Sequence, residues 1–329
     1  RDGMKVGIIG CSGMGAHHAQ FICNAGFKLA VCGDTIPERA KALAAKFGAD
    51  ATGDCMSVCR RKDVDVVAVL TPTPYHAPYV VAAAEAGKHV FCEKPFGRTM
   101  EQCDEALDAV EKADVKLFLG HVVRYFQEFE AIKKQIEAGK VGKVGFVRTY
   151  RGGICPVGAG TWFRDWEMSG GVTMDTIIHD FDWIRYVFGD PERIFCQNLK
   201  ERFGEAIDYS MVTMRMKSGV IATTTGTWAH PAGFQVKVEV CGDNGMIQYD
   251  SNEAPISSMM RANASGTPGM IVPGSPVSVS PYQLEWEDFK RWLEGKGEPR
   301  VTPEDGVWAV RIALGALESA QTGQPVTFN

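Results

Sequence analysis

Apolar residues along the first third of the chain come in short unbroken runs, separated by stretches where they recur every three or four positions. Val6, Ile8 and Ile9 form one run, and residues 27–33, 64–70, 89–92 and 115–119 hold others. Strands that are apolar on consecutive positions are covered on both faces, as in a parallel sheet. The stretches between predict helices starting near Met14 and covering 37–47, 54–60, 80–86 and 100–113, with a short strand at 49–52. Pro37 falls in the first turn of its helix and Gly87 stops another, as their backbone preferences favour. Strands alternating with helices predict a parallel sheet with right-handed crossovers and helices on both faces.

Beyond about residue 122 the pattern changes. Residues 126–138 read as a helix, 144–151 as a strand, and the segment after Ser169–Gly171 as one long helix to about Phe188. Strand-like runs then follow one another at 193–198, 209–216, 220–227, 236–241 and 246–249. Such succession predicts an α+β domain with a large mixed, mostly antiparallel sheet. Residues 252–280, rich in Ser, Pro, Gly and Met, read as a long surface loop, and helices close the chain at 282–293 and 303–322. The expected domains are 1–121 and 122–329, each long enough to bury a core.

The first run leads into a motif. In MKVGIIGCSGMG, residues 4–15, a strand is followed by Gly10, Gly13 and Gly15 and then by a helix. Glycines let the backbone approach a pyrophosphate, and the free N–H groups at the helix start face its charge. Ser12 occupies the middle position of G-x-G-x-x-G. The second strand ends at Asp34, about 20 residues on, where a ribose-binding carboxylate belongs. A structural glycine turn and a turn-initiating aspartate are the bland alternatives; together the two features point to a dinucleotide-binding Rossmann domain. An acid at 34 favours NAD over NADP, which stays open. In parallel sheets, ligands gather beyond the carboxyl ends of the strands. Gly10, Asp34, Thr71, Glu93 and His121 all fall there.

Composition narrows the partners. The 329 residues are 45% hydrophobic and 23% charged, with a formal net charge of −5 and no basic run, which predicts no nucleic-acid partner. No apolar stretch of about 18 residues predicts a membrane span, and the chain runs into its first strand without a signal peptide. The ten cysteines are scattered. Cys55 and Cys59, the closest pair, have no histidine nearby, and Cys11, Cys32, Cys92 and Cys241 lie in or beside apolar runs. A reducing cytoplasmic setting without a structural metal is expected.

Asp175 and His179 stand four apart in a segment that reads as a helix, so they are expected on one face. A carboxylate there can fix the tautomer of the imidazole and leave its other nitrogen to move a proton. Asp182 could serve instead, and a solvated polar face is the alternative, although Ile177, Ile178, Phe181, Trp183 and Ile184 argue for partial burial. Lys94, at a strand's carboxyl end, could polarise a substrate oxygen or be a solvated turn lysine. His76 and His121 are candidate cofactor or substrate neighbours, whereas His17 and His18 read as surface cover. Trp162, Arg164, Asp165 and Trp166 suit a polyhydroxylated ligand or a core.

Together these residues resemble the glucose–fructose oxidoreductase / inositol dehydrogenase / rhizopine catabolism (Gfo/Idh/MocA) family over essentially the full length. The resemblance rests on GIIGCSGMG, VCGDTIPERA, TPTPYH, FCEKP, GHVVRY, SGGVTMDTIIHDFDW and VTPEDGVWAVRIALGALESAQTGQPV. It implies NAD(P)-dependent oxidation or reduction of a sugar, polyol or derivative, with Lys94, Asp175 and His179 at the catalytic positions. The cofactor would lie against Gly10, Ser12, Gly13, Met14, Gly15, Asp34, Thr71, Pro72, His76, Glu93 and Lys94. The substrate would meet His121, Arg124, Tyr125, Trp162, Asp165, Asp175 and His179. A homodimer or homotetramer is implied as well. Relatives of this fold also include glycosidases or lyases that use NAD in a redox-neutral cycle and a non-catalytic sensor.

Overall fold

Five of six parallel strands grow out of the unbroken apolar runs, and the sixth is the short strand expected at 49–52. In chain order the first part comprises β1 (Lys5–Ile9), α1 (Gly13–Asn24), β2 (Lys28–Gly33), α2 (Pro37–Phe47), β3 (Asp50–Thr52) and α3 (Cys55–Arg60). It continues through β4 (Val66–Val69), α4 (His76–Glu85), β5 (His89–Glu93), α5 (Met100–Ala113) and β6 (Leu117–Gly120). The computed structural model describes residues 3–156, 162–199, 209–253 and 279–329; residues 254–278 of the expected surface loop lie outside that set. The strand order is β3-β2-β1-β4-β5-β6, with every pair parallel. β1 therefore lies at a switch point, where the chain leaves towards β3 and returns at β4. The register aligns Ile9 with Gly33 and Val69, Val69 with Cys92, and Glu93 with Gly120. Gly10, Asp34, Thr71, Glu93 and His121 accordingly leave the sheet along a single edge, as the sequence predicts.

The second sheet is built from longer, alternating strands. α6 (Gln127–Glu137) precedes β7 (Val144–Ile154), then come α7 (Trp166–Ser169), α8 (Gly171–Asp175) and α9 (Ile178–Phe188). After these follow β8 (Pro191–Leu199), β9 (Tyr209–Met216), β10 (Ile221–Thr227), β11 (Ala229–Gly242) and β12 (Gly245–Asp250). The chain closes with α10 (Pro281–Leu293), α11 (Pro303–Thr322) and β13 (Val326–Thr327). The order is β12-β11-β7-β10-β9-β8-β13, and only the β7–β10 pair is parallel. On β9, Ser210, Val212, Met214 and Met216 are buried while Tyr209, Met211, Thr213 and Arg215 are exposed. The buried face meets α8 through the Thr173–Ser210 hydroxyl pair (2.9 Å) and α11 through Ser319, which accepts from the Cys196 amide (3.0 Å).

Two expectations change. The long helix to Phe188 is two helices, α8 and α9, with Thr176 and Ile177 between them. Both the Thr176 and Ile177 amides donate to Val172 O, so the ladder ends there. The break is set from outside the segment: Trp228 donates its indole N–H to Thr176 Oγ1 (2.8 Å), and Ile177 sits where a Cβ on Gly226 would be. Second, His18 is not surface cover. It is fully buried, in the unit made of Arg1–Val122 and Pro281–Val307. That unit includes α10, which lies outside the expected boundaries of 1–121; α10 buries Tyr282, Glu285, Trp286 and Phe289, and Trp286 stacks on Phe91 at 4.2 Å. The other unit is Val123–Ser280 and Trp308–Asn329.

Candidate functional site

In the first unit the glycine turn is shaped by close approach. Gly10 has φ +93°, and a Cβ there would lie 2.6 Å from Leu70 O. At Gly15 a Cβ would lie 1.9 Å from Gly10 O, so this glycine lets α1 pack against the end of β1. Around Gly13 nothing lies within 4 Å of a Cβ position, and Ser12 at the helix N-cap makes no side-chain cap bond. The start of α1 thus carries no side-chain cap and is open around Gly13, the arrangement that receives a phosphate. Asp34 is buried and fixed by two backbone amides, from Cys11 to Oδ2 and from Ile36 to Oδ1, both 2.8 Å. Thr71 Oγ1 is buried without a hydrogen-bond partner among the described residues. An open helix start, a held carboxylate and an orphaned hydroxyl on one sheet edge fit a dinucleotide. Gly10→Ala is expected to cost about 1–3 kcal/mol, because alanine must be forced into left-handed backbone against a carbonyl. A lower melting temperature together with weaker NAD binding by titration checks it.

Further along the edge, His76 is a brace. It is buried, and its Nδ1 and Nε2 lie 2.7 Å from Pro95 O and 2.8 Å from Thr71 O. Burial pushes its pKa down, against the pull of the two carbonyls. The ring thus sits between a carbonyl of the loop after β4 and one of the loop after β5, and in its neutral form donates its single N–H to one of them. That second loop holds Lys94, half-buried, whose backbone N–H donates to Glu93 Oε2 (3.0 Å). Glu93 is itself buried. Burial works against its charge, but the hydrogen bond from His18, with His18, Lys94 and His76 nearby, holds its carboxyl below the usual range. His121 is fully buried just past β6.

The second unit gathers the other candidates around α8 and α9. Asp175 ends α8 and is buried; Thr176 Oγ1 donates to its Oδ2 (3.2 Å) while accepting from Trp228. His179 lies in the first turn of α9, half-buried. Both oxygens of Asp182 accept from Arg124, at 2.8 and 2.6 Å. Arg124 also lies over the Tyr186 ring, 4.2 Å from its centroid. Arg151 pairs in the same way with the buried Asp180. Tyr125 is buried, the Trp162 and Phe163 rings lie 4.0 Å apart at a 30° tilt, and Asp165 caps α7 by accepting from the Glu167 and Met168 amides. Phe163 and Trp166 pack on a core of Cys155, Val172 and Trp228. Sequence reasoning missed Thr176 and Trp228, which fix Asp175. An indole 52 residues away carries no local signal.

Residues 4–121 match the model of an oxidoreductase family with an NAD-binding Rossmann fold, GFO_IDH_MocA, and residues 129–248 match the GFO/IDH/MocA C-terminal domain. The chain belongs to this family. It is an NAD-binding oxidoreductase, with the Rossmann domain in its first unit. It is 29% identical over 334 residues to the myo-inositol 2-dehydrogenase of Thermotoga maritima, covering 98% of both chains. It is 32% identical over 273 residues to the 1,5-anhydro-D-fructose reductase of Ensifer adhaerens, covering 80% of this chain and 79% of that one. The crystal structure of myo-inositol 2-dehydrogenase from Lactobacillus plantarum matches with a TM-score of 0.84 at 26% identity, covering 99% of this chain and 100% of that one. The matched NAD-binding domain includes the start of α1 and Asp34. No helix among the described residues is long and apolar enough to cross a membrane.

Proposed function

We propose that this enzyme reversibly oxidises a secondary ring alcohol of a sugar, an inositol or a glycoside, with Lys94, Asp175 and His179 as its catalytic group. Bound NAD supplies a two-electron acceptor for the hydride that leaves the alcohol carbon. His179 takes the hydroxyl proton, Asp175 orients the imidazole, and Lys94 stabilises the charge that develops on the oxygen. The observation that carries this reading is Lys94 at the carboxyl end of β5, on the edge that also bears the glycine turn and Asp34. Both curated relatives described above are named for redox chemistry on a cyclic polyol or sugar. Asp175 and His179 stand at the end of α8 and the start of α9, a placement suited to an orienting pair at a helix junction.

The test is NADH formation by the purified enzyme with NAD⁺ and a panel of inositols, aldoses and glycosides, with NADP⁺ in parallel. A rise in absorbance with one substrate class is expected, with NAD⁺ preferred. A flat trace with cleavage of a glycoside would overturn the dehydrogenase in favour of a redox-neutral hydrolase or lyase, and a flat trace with nucleotide binding alone would favour a sensor. Asp34→Ser should raise the KM for NAD⁺ about tenfold or more, because charged hydrogen bonds to the ribose would be lost. It should also relax the preference against NADP⁺, whose 2′-phosphate a carboxylate repels. An unchanged ratio of the two cofactors would remove Asp34 from that role.

Self-association is part of the same reading. The outer face of the second sheet exposes Leu199, Met211, Ile221 and Met246, each more than a third accessible. A second copy of this chain, bringing the same apolar strands, is the occupant proposed for it, giving a homodimer or homotetramer. Light scattering at the mass of one subunit would overturn this. The ten thiols, none in a disulfide, suit a reducing cytoplasm.

A further inference from the structure

Behind Lys94 lies a buried polar chain that neither the cofactor nor the substrate is needed to explain. His18 on α1, Glu93 at the end of β5, and Glu285 and Trp286 on α10 are all at most 5% exposed. Trp286 Nε1 is 2.8 Å from His18 Nδ1, and His18 Nε2 is 2.8 Å from Glu93 Oε1. An indole N–H only donates, so His18 Nδ1 must offer a lone pair. The ring proton therefore sits on Nε2 and is donated to Glu93. Glu93 Oε2 in turn accepts the Lys94 backbone N–H. Gly120 on β6 makes the space, since a Cβ there would lie 2.9 Å from Glu93 Oε1.

Glu285 stands beside this chain and takes no part in it. The potential ligand atoms of His18, Glu93 and Glu285 all lie within 4.8 Å of one another. Such spacing matches a cation site, but the tautomer argues against one on His18. A cation on Nε2 needs a lone pair there, and the single lone pair of the neutral ring is already given to Trp286. The cluster is built for a proton instead. Two buried carboxylates this close cannot both be charged. Glu93 has the His18 and Lys94 donors to hold a charge, whereas neither oxygen of Glu285 has a hydrogen-bond partner among the described residues. Burial, with Glu93 beside it, drives the Glu285 pKa well above the usual carboxylate range.

We propose that Trp286 and His18 are positioning residues for Lys94, and that Glu285 is a resident carboxylic acid whose proton leaves Glu93 alone to carry the charge that holds the Lys94 backbone. The chain Trp286 → His18 → Glu93 ← Lys94 sets where the lysine leaves the sheet edge. Its functional half rests on the reading of Lys94 as catalytic; its proton half does not.

Two measurements on the full-length enzyme test it. The infrared difference spectrum of wild type minus Glu285→Gln at neutral pH is expected to show the carbonyl band of a protonated carboxyl group, moved by D2O. Absence of that band means an ionised Glu285 and overturns the proton assignment. Trp286→Phe keeps a ring against Phe91 but removes the N–H, so His18 can shift its proton to Nδ1 and release Glu93. Its kcat should fall about tenfold or more through misplacement of Lys94. Its KM for NAD⁺ should stay within about twofold, as should the kcat of the isosteric Glu285→Gln. A Trp286→Phe enzyme with wild-type kcat, or one whose loss lies in the KM for NAD⁺, overturns the positioning role. If Lys94→Ala itself leaves turnover intact, the catalytic reading fails, while the infrared band still reports on Glu285.

Discussion

Lys94→Ala is expected to lower kcat about 10²–10³-fold, the usual result of removing one preorganised donor from a developing oxyanion. The KM for NAD⁺ should change little. The nucleotide's phosphate and ribose contacts are expected at the start of α1 and at Asp34, on other strands of the same edge. That split between kcat and cofactor binding is what separates a catalytic lysine from a solvated turn lysine, whose removal moves neither. It also separates it from a lysine that merely clamps the nucleotide, whose removal would raise KM and spare kcat. Lys94→Arg is a useful companion. It keeps the charge but not the point-like ammonium, and arginine is not a conservative replacement where a single donor must reach one oxygen. Substantial activity in the arginine variant beside a dead alanine variant would mean that charge alone suffices. Wild-type turnover in Lys94→Ala would end the assignment.

The reach of sequence reasoning here follows the range of the interactions concerned. The parallel sheet and the edge where Gly10, Asp34 and Glu93 leave it were legible because they rest on local signals: unbroken apolar runs, a glycine turn, and an aspartate about 20 residues later. The succession of strand-like runs likewise marked the second sheet, but which face of β9 is buried came only with the structure. Asp175 and His179 were read as a pair on one helix face. Their i,i+4 spacing assumes a continuous helix, and the break at Thr176 depends on Trp228 and Gly226, far along the chain. His18 shows the same limit more sharply. One histidine on a first helix looks like surface until Trp286, 268 residues on, is brought against it. The pattern of α10 likewise shows that it has an apolar face without saying which unit receives it. Arg124 and Asp182 were read as separate candidates, one for substrate and one for the imidazole, because nothing local ties residues 58 apart.

That last pair carries the largest expected effect on stability. Arg124 and Asp182 are each 2% exposed in their side chains and share two hydrogen bonds. Asp182→Ala leaves a guanidinium that cannot lose its proton, buried against the Tyr186 ring without its carboxylate. Removing one partner of a buried ion pair costs about 3–5 kcal/mol, most of it the penalty of stranding the other charge. The loss should appear as a lower midpoint in urea and a melting temperature reduced by about 2–4 °C for each kcal/mol. The double replacement Arg124→Met with Asp182→Leu should recover most of that loss, since two apolar side chains of similar size need no partner. If the double variant is as unstable as the single one, the pair supplies packing that methionine and leucine do not match. If Asp182→Ala costs less than about 1 kcal/mol, the pair behaves as though exposed to water. The consequence for activity follows from position. Asp182 lies three residues after His179 on α9, so the ion pair anchors the helix that carries the proposed base. Asp182→Ala should therefore lower kcat even at temperatures where the enzyme remains folded, whereas the double variant, which also removes the candidate substrate contact Arg124, is read for stability alone.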